Sequence, residues 1–236
     1  MPRNGATYDA WLFALRVTAE LLLQANREDR SLYADVAPRK EWQRNAITIW
    51  SGPTSDDMAP VLRLGDMTAL WVWDGRFEFD STEAQTVLEE LWPESANEPL
   101  QSTVSCLAAH ARITLEEGWR NFPKGRFDCW ARMFAAAVDC LPSLSSRQPW
   151  TMQTMYHSGW GTYYLQFNPL EEGRSFALSE EGHLAMLPVG SNQDLKSFNI
   201  RSSIDEGSPR EAVTALLLPR LQRCADDAEG ALEGDE

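Results

Sequence analysis

The stretch Thr68–Ser81, TALWVWDGRFEFDS, constrains the fold more than any other part of the chain. Asp74-Gly75 supplies the positive φ angles that a two-residue type I′ turn requires, and alternating apolar residues flank it on both sides, so the stretch reads as a β-hairpin. The turn sets Val72 opposite Phe77 and Leu70 opposite Phe79, which gives Leu70, Val72, Phe77 and Phe79 one common core face. A one-residue slip would turn that whole face toward water. The opposite face carries Trp71, Trp73, Arg76, Glu78 and Asp80. Two tryptophans among charges form either a second packing surface, covered by a helix, or a binding surface, and on the second reading Trp71, Trp73, Arg76 and Glu78 are the candidate partner-binding residues. At least one of the two tryptophans is expected to stay exposed. Asp80 and Glu83 form a capping box that starts a helix where the second hairpin strand stops.

The rest of the chain alternates between helical and β patterns. Tyr8–Ala25 has Trp11, Leu15, Ala19, Leu22 and Leu23 at helical spacing. Asn26–Arg44 reads as charged and irregular, with Pro38 as a breaker, before strands at Ala46–Trp50 and Val61–Leu64. Apolar stripes predict helices from Asp80 to Trp92 and from Leu100 to Glu117, and Arg126–Leu141 is apolar nearly all round, the mark of a helix buried on several sides. β character returns at Thr162–Phe167, in a hairpin around Glu181-Gly182 and at Ser197–Ile204. A last helix opens at Ser208-Pro209 with Glu211 in capping-box position, and Pro219 should kink or divide it. The predicted class is α+β: antiparallel meanders of about seven strands, in one or two sheets, packed against about five helices. Residues 1–224 form one globular unit, or two similar halves at 1–141 and 150–224 joined through Leu141–Pro149. Residues 225–236 read as a disordered acidic tail.

Charge narrows the function classes. The 236 residues carry 35 acids and 21 bases, a net charge of -14. Removing the last twelve residues, which hold six acids and no base, leaves 29 acids against 21 bases, or -8. An acidic body argues against nucleic acid, whose phosphates need clustered Lys and Arg, and favours a basic partner. No run approaches the ~18 apolar residues of a membrane span, and no secretory signal opens the chain, so a cytoplasmic protein without membrane attachment is expected. Cys106, Cys129, Cys140 and Cys224 form no CxxC pair and read as reduced, mostly buried thiols.

Catalytic signatures are missing: GxGxxG, P-loop, GxSxG, HExxH and the kinase set are all absent. Cys106 and His110 have helical ligand spacing but lack the further ligand zinc needs, so no metal and no cofactor is expected. His157 lies in the aromatic, glycine-containing segment MYHSGWGTYY, where His157, Trp160, Tyr163 and Tyr164 are the candidate pocket residues. His183, beside Glu181-Gly182, reads as an exposed turn residue. The adjacent pairs of glutamates read as solvated faces, since nothing apolar is placed to separate their pKa values. Of the ten tryptophans, Trp11, Trp92 and Trp130 lie on helix stripes and read as core; Trp50, Trp71, Trp73, Trp150 and Trp160 lie in or beside strands and include the surface candidates. The reading is a noncatalytic protein-binding module that captures a basic partner, as an immunity-type inhibitor of a toxin does. The alternatives are an enzyme with a non-local site around His157 and a structural or assembly subunit.

Overall fold

The structure is a computed structural model that describes residues 12, 15–24, 32–39, 44–51, 59–65, 70–72, 126–157, 162–171, 173–187, 196–197 and 208–230. It is α+β, and its sheets are antiparallel throughout. The chain divides into two compact units, Met1–Ala131 and Arg132–Glu236.

In the first unit, residues 15–24 form helix α1, with Leu12 also helical. Leu15, Ala19 and Leu22 are buried as their spacing predicts, and Val17, Thr18 and Leu21 are buried too, so α1 is enclosed on more than one side. Four strands follow in the order β1 (Leu32–Arg39), β2 (Arg44–Ser51), β3 (Ala59–Gly65) and β4 (Leu70–Val72). β1 corrects the expectation of an irregular segment. Its Ala34 and Val36 alternate and are buried against the register of Ile49 and Ile47. Pro38 is tolerated because β1 is an edge strand, where an absent N–H need not break a ladder. The register carries the apolar rows onward: Val36, Ile47, Leu64 and Leu70 align across the sheet, as do Ala34, Ile49, Leu62 and Val72. A shift between Ile49 and Trp50 leaves Val61 as the extra residue of a bulge. β4 is the first strand of the expected hairpin; its Asp74-Gly75 turn, the second strand and the Asp80–Glu83 cap lie outside the described residues, as does the helix expected at Leu100–Glu117.

Helix α2 spans Arg126–Cys140, starting where predicted and ending one residue short of the expected Leu141, and the division between the units falls inside it. Between Trp130 and Cys140 only Arg132 and Asp139 are not fully buried. They are seven residues apart and therefore share one helix face.

The second unit continues through a short 3-10 turn, Leu141–Ser143, into five strands in sequence order: β5 (Trp150–His157), β6 (Thr162–Pro169), β7 (Phe176–Ser179), β8 (His183–Met186) and β9 (Lys196–Ser197). The segment 141–149, which the sequence offers as a boundary, lies inside this unit, with Leu141 and Leu144 buried. β5 is a strand the sequence reading missed: WTMQTMYH alternates poorly, because Thr151 and Thr154 are buried as well as Trp150 and Met152. In β6, Tyr163, Leu165 and Phe167 are buried and Tyr164, Gln166 and Asn168 are not, as their alternation predicts.

The β7–β8 hairpin forms where expected, with Leu178 opposite Leu184. Its loop is Glu180-Glu181-Gly182: the Gly182 amide donates to the Ser179 carbonyl at 2.9 Å, and the His183 amide to Ser179 Oγ at 3.1 Å. Gly182 has a φ of 88°, the left-handed residue that a three-residue hairpin loop needs. Gly182→Ala should cost about 1–2 kcal/mol, the penalty of placing a Cβ in that region; a chemical denaturation curve would measure it.

Helix α3 spans Arg210–Gly230. The Pro209 carbonyl accepts the Ala212 and Val213 amides at 3.0 and 3.3 Å, so the helix starts at the expected Ser208-Pro209 signal. Pro219 does not divide it. Pro219 and Ala215, whose carbonyl loses its amide partner to the proline, are both exposed, so water can satisfy that carbonyl. Arg220 Nη1 donates to the next carbonyl, Leu216, at 2.5 Å. The helix also continues past Cys224, where an acidic tail was expected to begin. Ala225 and Ala228 extend the buried stripe of Val213, Leu217 and Leu221, and burying that stripe keeps residues 225–230 helical.

Candidate functional site

Of the hairpin candidates, Trp71 is paired with Arg63 in β4; Trp73, Arg76 and Glu78 lie outside the described residues. In the second group, His157 ends β5 opposite Thr162, Tyr163 follows in β6, and Trp160 lies outside the described residues. Tyr163 and Tyr164 do not converge. As neighbours in a strand they take opposite faces: Tyr163 is buried and Tyr164 is half-buried. Trp150, a surface candidate by sequence, is fully buried, and Trp130 is core as expected.

The face of the second sheet opposite its core is built from alternate residues of four strands. Register aligns Met155, Tyr164 and Ser179 in one row and Gln153, Gln166, Ala177 and Ala185 in the next. Met155 is 43% exposed, the one exposed large apolar side chain among the described residues. Side-chain amides are tied along the strands. Gln166 Nε2 and Ser175 Oγ both donate to Asn168 Oδ1, at 2.8 and 2.7 Å, and Gln153 Nε2 reaches Met155 Sδ at 3.8 Å. Burial pushes the Tyr164 phenol above its ordinary range, so it is a neutral O–H at physiological pH and a poor general base. The segment 148–170, which contains β5 and β6, has no Asp, Glu, Lys or Arg. Acids stand at both ends of these strands: exposed Glu171 beyond β6, and Glu180 and Glu181 in the β7–β8 loop. His183 is half-exposed, with Nδ1 3.9 Å from Glu181 Oε2. The surface is therefore uncharged in the middle, with Glu180 and Glu181 at one end and exposed Glu171 beside exposed Arg147 and Arg174 at the other.

Two further polar clusters hold this unit together. Asp139 of α2 grips Arg210 of α3 bidentately, Nε to Oδ2 at 2.6 Å and Nη2 to Oδ1 at 2.7 Å, and accepts Thr214 Oγ1 at 3.5 Å. Arg132, on the same face of α2, donates to the Ser208 carbonyl at 3.3 Å. At the other end of α3, Glu229 is 5% exposed. It accepts Ser145 Oγ at 2.8 Å and Trp150 Nε1 at 3.1 Å, with Arg147 Nε 3.9 Å away.

None of these clusters assembles an activated nucleophile. Cys129, Cys140 and Cys224 are free thiols. Burial, and secondarily the Asp139 carboxylate, push the Cys140 thiol up to about 12. A raised thiol pKa stabilises the fold fully below the unfolded value and loses that contribution as pH rises, here between about 9 and about 12. Cys140→Ala should therefore flatten the alkaline fall in stability over that window, measured by urea denaturation at successive pH values. Among the described residues no group of three or more His, Cys, Asp or Glu is placed to hold a metal ion. Cys106 and His110 lie outside them. No helix there is long and apolar enough to cross a membrane.

Glu229 and the Asp139–Arg210 pair were not foreseen from sequence. Glu229 had a signal, since Ala225 and Ala228 continue the helical spacing of Leu217 and Leu221 into a segment whose acids suggest disorder. Asp139 and Arg210 had none, because their pairing depends on how α2 and α3 meet. Comparison of the chain with protein-family models, curated proteins and solved structures finds no match.

Proposed function

We propose that this protein is a noncatalytic protein-binding module of the cytoplasm that captures a basic protein, in the manner of an immunity-type inhibitor of a toxin. The observation that supports this reading most is the outer face of the second sheet. Met155, Tyr164, Gln153 and Gln166 form a charge-free centre, with Glu180 and Glu181 at one end and Glu171 beside Arg147 and Arg174 at the other, in a chain of net charge -14. Interface centres are poor in charged residues and rich in Tyr and Met, while an acidic rim attracts and orients a basic partner. A polar face with satisfied amides also keeps the free protein soluble.

The test is capture from the native host by the tagged full-length chain. A basic protein should copurify and be released as salt rises from ~0.1 to ~1 M, the range over which rim charges are screened. Met155→Asp combined with Tyr164→Asp should abolish capture at a temperature at which circular dichroism shows the double variant folded. A captured partner indifferent both to salt and to this double variant would refute the reading.

One observation favours a second reading, an assembly subunit. Among the described residues β5 ends its sheet on one side, and it has no Asp, Glu, Lys or Arg along its eight residues, whereas exposed edges are normally guarded by charge. This reading predicts a self-association that depends on protein concentration and survives high salt, measurable by sedimentation.

A further inference from the structure

Helix α3 is tied down differently on the two sides of Pro219. Before the proline it is bound to α2: Arg210 and Thr214 engage Asp139, the Thr214 carbonyl lies 3.9 Å from Cys140 Sγ, and Val213 and Leu217 are fully packed. After it, the helix is bound to the 141–149 segment and the start of β5. Gln222 Nε2 donates to the Ser143 carbonyl at 2.7 Å, and Glu229 takes Ser145 and Trp150. The second half buries smaller side chains: Leu221 is its one large apolar residue in the core, followed by Ala225 and Ala228. Its polar anchor is also poorly placed by the helix itself. A carboxylate at a helix C-terminus meets the negative end of the dipole, and α3 has no basic residue in its last turn. What holds Glu229 is the pair of hydrogen bonds from Ser145 and Trp150 and the more distant Arg147 guanidinium at 3.9 Å, offset by the cost of taking a carboxylate out of water. Between the halves, Pro219 removes one backbone hydrogen bond, which is where a helix bends.

We propose that residues 221–230 are a strap, hinged at Pro219 and latched by Glu229 on Trp150 and Ser145, that opens as a unit while the first half of α3 stays bound to α2. Opening uncovers the Trp150 indole at the start of β5, the strand that ends the sheet among the described residues. The acidic C-terminal segment is thereby a cover for that end of the sheet.

Hydrogen–deuterium exchange of the full-length chain, resolved by peptide, tests the device. Amides of 222–229 should be at least ~10-fold less protected than those of 214–218, since a segment that opens locally exchanges ahead of global unfolding. Glu229→Gln keeps the size of the latch but weakens its acceptor, and should lower protection of 222–229 a further ~10-fold, leaving 214–218 unchanged. Pro219→Ala restores the missing backbone bond and should raise protection of 222–229 several-fold. Equal protection of the two halves in the natural chain, or equal changes in both on Glu229→Gln, would show one undivided helix and overturn the proposal. Pro219→Ala with no effect on 222–229 would remove the hinge and overturn it equally.

Discussion

Trp150→Ala is expected to destabilise the protein by about 4–5 kcal/mol, near the upper end for aromatic truncation in a core. Trp150 is fully buried, its ring centroid 5.3 Å from that of Phe176, and its Nε1–H is one of the donors that hold the buried Glu229 carboxylate. The substitution therefore opens a cavity at the start of β5 and leaves an acceptor short of a donor, and both effects have the same sign. Trp150→Phe separates them. It keeps an aromatic ring beside Phe176 and removes the N–H with only part of the indole's volume, so its cost should fall toward about 1–3 kcal/mol, the penalty of an unsatisfied buried polar group. Urea denaturation of the three proteins gives both differences. If Trp150→Phe proved as damaging as Trp150→Ala, the hydrogen bond to Glu229 would dominate; if it proved harmless, Trp150 would be held by packing alone.

The same residue shows where sequence reasoning stopped. Local pattern was enough for β6, where large apolar and polar side chains alternate, and for the β7–β8 loop, where Gly182 supplies a conformation few residues can adopt. It was enough for α2, whose apolar residues go all the way round. It failed at β1 and β5 for opposite reasons. β1 carries Asp35, Arg39 and Pro38, which look like loop chemistry until the strand is seen to be an edge. β5 buries threonines along with its apolar residues, which blurs a period of two. The extent of α3 was missed because small alanines bury little area each, so a stripe that ends in Ala225 and Ala228 is weak beside three nearby acids. The site was less legible than the fold. An outer sheet face exists only through register: Gln153 and Gln166, or Met155 and Tyr164, become neighbours by strand pairing, and nothing in either strand alone announces it. Tyr163 and Tyr164 could be placed on opposite faces from sequence by alternation, and that argument already weakens a pocket that uses both.

Phe176→Ala is the second substitution expected to have a large effect, about 3–5 kcal/mol. Phe176 stacks on Phe167, with centroids 4.8 Å apart and planes at 15°, and meets Trp150 at 47° on its other contact. It therefore links the first, second and third strands of the sheet through their core face. Contacts of this kind are worth about 0.5–1.5 kcal/mol beyond the area they bury. In a double-mutant cycle, Phe176→Ala with Phe167→Ala should depart from additivity by that amount, since each truncation removes the other's stacking partner. The outer face makes the result useful for function. Phe167 and Phe176 alternate along β6 and β7 with Gln166, Asn168 and Ala177, so the backbone that positions the proposed binding surface is the same one this aromatic pair packs beneath. A core substitution should weaken partner capture only as far as it unfolds the protein, and capture should recover at lower temperature. Met155→Asp with Tyr164→Asp should abolish capture at every temperature at which the protein is folded. That contrast, read from capture and denaturation on the same samples, distinguishes a surface that binds from a sheet that merely has to be intact.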